Sequence, residues 1–419
     1  MQVRPVLLFA LIACGSESQK AAPSTGSAGP ASAAGVAAVA TDATTTPDDA
    51  PSLARSTRVE KVRAELPDLG TIQRVVVQPD GKLLVIGESG VARVDADLAL
   101  DQDFGTGGVV RLELAEARLQ SAAVDEKGRI IVVGFLSTKS HAQDLLVVRL
   151  TPRGVLDPGF GDGGIVTRDF QRTDDRPSEV FALPKGKIAI IGSHQQANDP
   201  QNYDGYLVRL DKNGALEAGV VFFDCIPKSR EFVTRALIDG DGFLVGGYAF
   251  NAKPEDGGVF VARVRKDGKL DDTFGERGVA RVHSGDLGQA VAWELSTASN
   301  GDILLGGSAG DEIAKYRGFV LRFDKHGAPI DTWGQHGMAW GPRSVRWISM
   351  AVADGTGVLA VNRFDGSLVR FDEHGETDRG FGTEGTVQGK KDDSFDSAVM
   401  LDSGDLVIAG GRLLVRYTR

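Results

Sequence analysis

The sequence is poor in cysteine, in long apolar runs and in clustered positive charge. Its 419 residues include two cysteines, Cys14 and Cys225, too few for a disulfide framework. The apolar run at residues 6–13 is far shorter than the roughly 20 residues that a membrane-spanning helix needs. The net charge is −10 and no stretch is rich in Lys and Arg, which argues against a nucleic-acid partner.

The motifs of common catalytic and cofactor sites are also missing. None of the six histidines is paired at the spacing of metal ligands. The sequence contains no His-Glu-x-x-His, Gly-x-Ser-x-Gly, P-loop or paired-cysteine motif. We therefore predict no metal site and no cofactor, and we assign no catalytic residue.

The N-terminal residues predict export. One basic residue, Arg4, precedes the apolar run 6–13, which has the length of a signal-peptide core. The run ends in Leu-Ile-Ala-Cys and resembles the bacterial lipobox, in which the cysteine is lipidated and becomes the new N-terminus. Under that interpretation residues 1–13 are a lipoprotein signal peptide, and acyl chains on Cys14 hold the protein on a membrane, the outer membrane being favoured. The alternative is an ordinary secretory signal cut nearby. With Cys14 lipidated, Cys225 has no intrachain partner, and we expect it to be a small buried residue.

Residues 14–56 predict a tether. They are rich in Ala, Ser, Thr, Gly and Pro and have almost no large apolar side chains. Such a segment cannot bury enough surface to order itself. As a random coil it would span roughly 35 Å, enough to hold a globular domain away from a membrane.

From residue 57 to 419 the sequence repeats. Glycine is abundant, at 54 of 419 residues, and a turn glycine recurs seven times, at Gly81, Gly128, Gly186, Gly242, Gly301, Gly357 and Gly404. The spacings between them, 47, 58, 56, 59, 56 and 47 residues, are typical of propeller blades. Period-two alternation indicates four strands in each copy, here called A to D. We predict an all-β protein, a seven-bladed β-propeller of four-stranded blades.

Five of the copies, all but the third and the seventh, have a corner between strands C and D. In the fourth copy it consists of Leu270, Asp271, Phe274 and Gly275, followed by Gly278. The aspartate can cap the turn, and we expect the aromatic ring to fill the space between neighbouring blades.

Turn and corner together resemble the delta-60 repeat family. Its first part is matched by Gln-Pro-Asp-Gly-Lys at residues 78–82, and its second part by residues 263–279. The resemblance covers roughly residues 72–419. It implies a β-propeller on secreted or cell-surface bacterial proteins and no known activity.

The seventh copy ends after strand C. Residues 57–66 precede the first full copy and have the pattern of a strand D. We predict that they pair with residues 413–417 and close the ring, because an unpaired strand edge would otherwise be exposed.

The connections between strands B and C differ in length. They are tight in copies one, six and seven, and long in the four copies between, at residues 135–144, 193–204, 248–257 and 308–317. Variable loops on one face of a repeat protein often mark its binding face. Neutral drift in loop length explains the pattern equally well.

Charge also varies at the start of strand A. The positions are Arg74, Ser121, Glu179, Arg235, Glu294, Ser349 and Ser397. If strand A lines the axis, these residues surround the channel mouth. Mutual neutralisation in a wet channel is the favoured interpretation, and a polar ligand or metal held on the axis is the alternative. The candidate ligand-binding residues, drawn from these positions and the loops, are Arg74, Glu179, Arg235, Glu294, His283, Tyr203, Tyr248 and Arg343.

We therefore predict a monomeric cell-envelope binding or scaffold module, with an envelope protein or an extracellular glycan as partner. The rival hypothesis is an extracellular enzyme that acts on a glycan or lactone at the channel mouth. A deep mouth where Glu179, Glu294, Arg74, Arg235 and His283 converge would favour the enzyme. A broad rim of aromatic residues would favour the binding module. The rim candidates are Phe135, Tyr203, Tyr248, Phe250 and Tyr316.

Overall fold

A computed structural model describes residues 58–138, 142–250, 257–283, 287–311, 315–391 and 393–418. The predicted signal peptide, Cys14 and the tether lie outside these residues. The described part contains 28 β strands and a 3-10 helix, Pro184–Gly186. None of its helices has the length and apolar character needed to cross a bilayer.

The strands form five four-stranded sheets and one eight-stranded sheet. The eight-stranded sheet consists of two four-stranded antiparallel units joined by one parallel pair, Tyr203 with Arg230. The strands of repeats one to three are β2 (Ile72–Val77), β3 (Leu83–Gly87), β4 (Gly90–Val94) and β5 (Val109–Arg111); β6 (Ala117–Val124), β7 (Ile130–Ser137), β8 (Gln143–Leu150) and β9 (Ile165–Arg168); β10 (Asp175–Leu183), β11 (Lys187–Gln196), β12 (Asp199–Leu210) and β13 (Val221–Phe223).

The remaining strands follow the same order. They are β14 (Arg230–Asp239), β15 (Gly242–Phe250), β16 (Gly258–Val264) and β17 (Val279–His283); β18 (Gln289–Thr297), β19 (Ile303–Gly310), β20 (Arg317–Phe323) and β21 (Met338–Trp340); β22 (Ile348–Asp354), β23 (Gly357–Asn362), β24 (Leu368–Phe371) and β25 (Thr386–Val387); β26 (Ser397–Met400), β27 (Leu406–Gly410), β28 (Leu413–Thr418) and the N-terminal β1 (Val59–Glu65).

The N-terminal strand belongs to the last sheet, whose order is β1-β28-β27-β26. It pairs antiparallel with β28, from Val59 opposite Thr418 to Glu65 opposite Leu413. This is the pairing that the sequence predicts. Arg58, directly before β1, forms an ion pair with Asp354 at 3.1 Å.

The core lies between neighbouring sheets. The middle strands β3 and β27 are apolar along their whole length, and every one of their residues is buried. A strand that is apolar on both faces is stable only where both faces are covered. Between repeats one and two, for example, Leu84 and Ile86 pack with Ile130, Val132 and Leu146.

The aromatic corners link each repeat to the next. Phe274 is fully buried, and the Arg263 guanidinium lies 4.7 Å from its ring centroid. Arg263 Nη2 donates to the Lys325 carbonyl of the next repeat at 2.7 Å. Gly327 approaches the ring so closely, at a φ of +86°, that a Cβ there would lie 2.9 Å from it. The predicted packing role of the corner is confirmed.

One predicted loop is wrong. Residues 193–204 of repeat three form a long β-hairpin, in which β11 continues to Gln196 and β12 begins at Asp199. His194 pairs with Asp204 and Gln195 with Tyr203. The polar residues that suggest a loop therefore continue the backbone ladder beyond the apolar part of the strands.

Candidate functional site

A β-bulge interrupts the first strand of repeats one to six. The register shifts by one residue at each bulge, as between Ile72 and Arg74 in β2 or between Ala292 and Glu294 in β18. In repeat seven Asp396 takes the equivalent place directly before β26, and its amide donates to the Ala409 carbonyl. A bulge turns its extra residue away from the ordinary alternation, and bulges are common beside functional sites.

The extra residues of the six bulges and Asp396 of repeat seven all line a single cavity of about 370 Å³. They are Gln73, Gln120, Ser178, Thr234, Trp293, Ser349 and Asp396. We call this set the bulge ring. The cavity therefore receives one side chain from every repeat. Its wall also includes Phe135, Gln143, Arg176, Ser193, Phe232, Arg235, Tyr248 and Arg363.

Four of the predicted site residues lie together next to the bulge ring. Arg74 lies 2.5 Å from Glu179 and 3.8 Å from Glu294, and Arg235 lies 2.9 Å from Glu294 and 3.9 Å from Glu179. The Ser121 hydroxyl donates to Glu179 at 2.7 Å. Each carboxylate thus contacts both guanidinium groups, which is the arrangement expected for mutual neutralisation.

Burial and the neighbouring charges shift the pKa values of the two arginines in this cluster. Burial, together with the charge of Arg235, lowers the pKa of Arg74 from its ordinary value despite the two glutamates. Burial also acts to lower the pKa of Arg235, but Glu294 and Glu179 outweigh it and raise that pKa. The cluster is therefore a compact, internally paired group, in which Arg235 also contributes to the cavity wall.

Of the four predicted site residues outside this cluster, His283 and Arg343 are exposed. His283 is exposed at the end of β17, the outermost strand of its unit, and pairs with Gly258 of β16. It is three strands away from β14, which carries Arg235, or about 14 Å at the usual strand spacing. Arg343 is exposed between β21 and β22. His283 belongs to an outer strand and the glutamates to first strands, so the arrangement that would favour the enzyme hypothesis lacks His283.

Tyr203 and Tyr248 belong to a row of touching rings beside the cavity. Neighbouring ring centroids along Tyr203, Phe232, Tyr248, Trp293 and Trp347 are 5.4, 5.2, 5.9 and 6.2 Å apart. Three further rings contact this row: Phe250, Tyr316 and Phe364. We call these eight residues the aromatic arc. It extends over repeats three to six, and Phe232, Tyr248 and Trp293 line the cavity itself.

Comparisons with known proteins agree with this architecture. Residues 78–104 and 128–160 match the family described as "Domain of unknown function (DUF5122) beta-propeller". The protein has a β-propeller fold. The match supports a propeller family for the chain.

Solved structures resemble the propeller at low sequence identity. A streptogramin B lyase is 10% identical, with 88% of this chain and 99% of that chain covered and a TM-score of 0.52. A PL25 ulvan lyase is 12% identical, with 86% and 95% covered and a TM-score of 0.50. At such identities the likeness concerns the fold alone. No curated protein sequence matches the chain significantly.

The tyrosines of the propeller's arc are neutral hydrogen-bonding groups. Burial raises the pKa of Tyr248 to about 12 and also raises the pKa of Tyr203. The Tyr203 hydroxyl donates to Asp174 at 3.0 Å, and the Arg230 guanidinium lies 5.2 Å from the Tyr203 ring centroid. Phenols with raised pKa values are poor acid–base catalysts at neutral pH and good ligand contacts.

The sequence gives little indication of Phe232, Trp293, Trp347 and Phe364. Trp293 directly precedes the predicted charged position Glu294, and the bulge turns it into the cavity. A bulky aromatic beside a charged residue at the start of strand A is the signal that could have identified it. Within the described residues, no group of three or more His, Cys, Asp or Glu side chains is placed to hold a metal ion.

A buried carboxylate lies close to the propeller's cavity. Asp175 at the start of β10 is fully buried; its Oδ1 lies 2.7 Å from His194 Nδ1, and its Oδ2 accepts the Phe170 amide at 2.7 Å. Burial raises the pKa of Asp175 to about 6, although these two hydrogen bonds act to lower it.

This carboxylate predicts a pH dependence of stability. Because the pKa of Asp175 is higher in the folded than in the unfolded chain, the folded state binds more protons between pH 4 and 6. We expect the Asp175 contribution to the free energy of unfolding to fall by about 2–3 kcal/mol as pH rises through that window. The free energy of unfolding, measured with urea at several values from pH 4 to 7, should depend less steeply on pH in Asp175→Asn than in the wild type. Asp199→Asn, at an exposed position, is the control and should keep the slope. An equal slope in wild type and Asp175→Asn would contradict the assignment.

Proposed function

We propose that the seven repeats are seven blades closed into a ring, with β1 completing the last blade. Three contacts support the closure. The first strands touch in chain order from β2 to β26, and β26 touches β2. The last strand pairs with β1. Arg416 of repeat seven donates to the Ala96 carbonyl of repeat one.

We further propose that the protein is an exported, lipid-anchored delta-60 repeat lipoprotein and acts as a monomer in the cell envelope. The support is the Leu-Ile-Ala-Cys ending of the apolar run and the tether-like composition of residues 14–56. A propeller on a tether of roughly 35 Å can search the space next to the membrane for a partner.

Its proposed function is that of a binding module, and the face that carries the bulge ring and the aromatic arc is the binding face. The observation that carries the proposal is the convergence of one bulged side chain from every repeat on a single cavity rimmed by touching aromatic rings. Ligand sites are typically concave, with aromatic side chains and converging polar groups that fix the ligand's orientation, and this cavity combines both.

Binding finds more support here than catalysis. An enzyme for glycans or lactones needs a carboxylate or similar group free to exchange a proton with its substrate. The carboxylates at the cavity and its charge cluster are paired instead: Glu179 and Glu294 with Arg74 and Arg235, and Asp396 with Arg363.

A retention experiment with matched variants tests the binding face. Phe232→Ala removes the ring at one end of β14, whereas Ile238→Ala removes a side chain that is 56% exposed at the other end of the same strand. Full-length protein is immobilised and incubated with envelope polysaccharide and protein fractions from cells that express it. We expect Phe232→Ala to reduce the retained material at least about tenfold, the effect of losing one well-packed aromatic contact.

The control variant Ile238→Ala should retain as much material as the wild type. Melting curves show whether the two variants are equally folded. Equal retention by wild type and a folded Phe232→Ala protein would refute this binding face.

A further inference from the structure

We infer that the ligand of this cavity is a neutral oligosaccharide, with one sugar unit inside the bulge ring and the adjoining unit on the aromatic arc. The inference rests on the proposed binding function and names the ligand class. It follows from four properties of the cavity: the chemistry of its wall, its unsatisfied polar atoms, its charge and its size.

The bulge ring presents neutral hydrogen-bonding groups. Two amides, Gln73 and Gln120, and three hydroxyl groups, on Ser178, Thr234 and Ser349, line one open cavity, and Gln143 and Ser193 line it as well. The amides can both donate and accept hydrogen bonds, and the Ser178 and Thr234 hydroxyls, which donate to the Val233 and Gly246 carbonyls, can still accept them. Such a wall matches a ligand that is covered with hydroxyl groups.

Three buried polar atoms of the wall have no hydrogen-bond partner among the described residues. They are Gln143 Oε1, Arg176 Nε and Trp293 Nε1. One of them accepts a hydrogen bond and two donate. Buried polar groups are nearly always satisfied in native proteins, so these atoms require a partner. A hydroxyl group is both donor and acceptor, and several hydroxyls on one sugar ring could satisfy all three.

The three arginines of the cavity wall each have a carboxylate partner. Arg176 pairs with Asp174 at 2.8 Å, Arg235 with Glu294 at 2.9 Å, and Arg363 with Asp396. A site for an anion would keep at least one cationic group without a carboxylate partner, as phosphate and carboxylate sites do. The pairing therefore favours an uncharged sugar over a uronic acid or a sulfated unit.

The size of the cavity favours a sugar over a protein. About 370 Å³ is within the range of small-molecule pockets, whereas a stable protein partner covers roughly 800 Å² of a broader surface. Phe232, Tyr248 and Trp293 are half-buried at the wall, and Phe250 and Phe364 are 38% and 48% exposed further along the arc. The C–H face of a pyranose ring stacks on such surfaces while its hydroxyl groups reach the amides.

Calorimetric titration of the full chain tests the ligand class. The probes are neutral trisaccharides of glucose, mannose, galactose, xylose and N-acetylglucosamine, beside trigalacturonate as the anionic probe. We expect at least one neutral trisaccharide to bind, with an affinity that stays within about twofold between low and high salt because no ion pair with the ligand forms. Trigalacturonate should bind at least about tenfold more weakly, since the arginines of the cavity wall are already paired.

Variants of Trp293 connect the binding to the cavity. Trp293→Phe keeps a ring but removes the indole N–H, and should weaken binding about tenfold if that group donates to the sugar. Trp340→Phe is the matched control: Trp340 lies on β21, outside the cavity wall, and this variant should bind like the wild type.

The outcomes separate the inference from the proposed function. Preference for trigalacturonate, or no binding by any neutral probe, overturns the neutral-sugar inference. If envelope material is still retained by wild type and lost in Phe232→Ala, the binding module stands and only its ligand class falls. If wild type retains nothing either, both proposals fail.

Discussion

Deletion of residues 57–66 is expected to lower the melting temperature by at least about 5 °C, because it removes β1 and leaves β28 as an unpaired edge. Six backbone pairs join β1 to β28, from Val59–Thr418 to Glu65–Leu413. Leu66, only 3% exposed, belongs to the apolar cluster shared by the first and last repeats. Thermal unfolding followed by circular dichroism measures the effect.

The deletion also removes contacts outside the strand. The Arg58–Asp354 ion pair is buried, and Arg63 pairs with Asp393 at 2.7 Å. Breaking a buried pair by removing one partner costs more than the pair contributes, because the remaining charge stays in a poorly solvated place. The loss therefore exceeds that of one strand ladder.

Deletion of ten residues from the tether, 31–40, is the matched control and should leave the melting temperature unchanged. The variant that lacks residues 57–66 should also self-associate at high concentration, since its exposed strand edge pairs readily with other chains. A monomeric deletion variant with the wild-type melting temperature would refute both the closure and the role of β1.

The repeat made the strand order predictable. Turn glycines and aromatic corners recur at fixed places, and five of the seven turn glycines have the positive φ that few other residues adopt. The pairing of β1 with β28 was predictable for a different reason: a missing fourth strand in the last repeat requires a replacement. The charge cluster was predictable because Arg74, Glu179, Arg235 and Glu294 occupy equivalent positions.

The cavity itself was not predictable from the alternation. After a one-residue bulge, the side chains of the strand point to the opposite faces of the sheet. The extra residues in these bulges are Gln, Ser, Thr and Trp, and none of these residue types is specific to a bulge. The alternation therefore identifies Arg74 and Glu294 at the channel mouth but not their neighbours Gln73 and Trp293. Half of the arc was predictable, since Tyr203, Tyr248, Phe250 and Tyr316 lie in or beside the long B–C connections. Its other four rings, Phe232, Trp293, Trp347 and Phe364, lie outside those connections or in the tight one of repeat six.

Bulge and cluster have complementary roles. The residues after the bulges form a paired charge group that fixes the first strands to one another, as Glu179 of repeat three does with Arg74 of repeat one. The bulged residues take no part in these ion pairs, and their types differ from repeat to repeat. A cavity wall whose residues differ from repeat to repeat is suited to holding a ligand that has no symmetry of its own.

Phe274→Ala is expected to lower the free energy of unfolding by about 3–5 kcal/mol, the usual cost of removing a fully buried phenylalanine ring. The ring is 0% exposed and fills the space between repeats four and five. Gly275, next to it, donates its amide to the His326 carbonyl at 2.8 Å, so that the backbone on both sides is fixed and can collapse little into the space left by the ring. Urea unfolding followed by intrinsic fluorescence measures the loss.

Val155→Ala is the matched control, since Val155 lies in a turn of repeat two and is 61% exposed; it should change stability by less than about 0.5 kcal/mol. Arg263→Ala, alone and combined with Phe274→Ala, completes a double-mutant cycle. Because the guanidinium lies over the ring and also donates to Lys325 of the next repeat, we expect a coupling energy of about 0.5–2 kcal/mol. A coupling near zero would show that ring and guanidinium stabilise the contact between repeats independently, and an unchanged free energy in Phe274→Ala would refute the packing role of the corner.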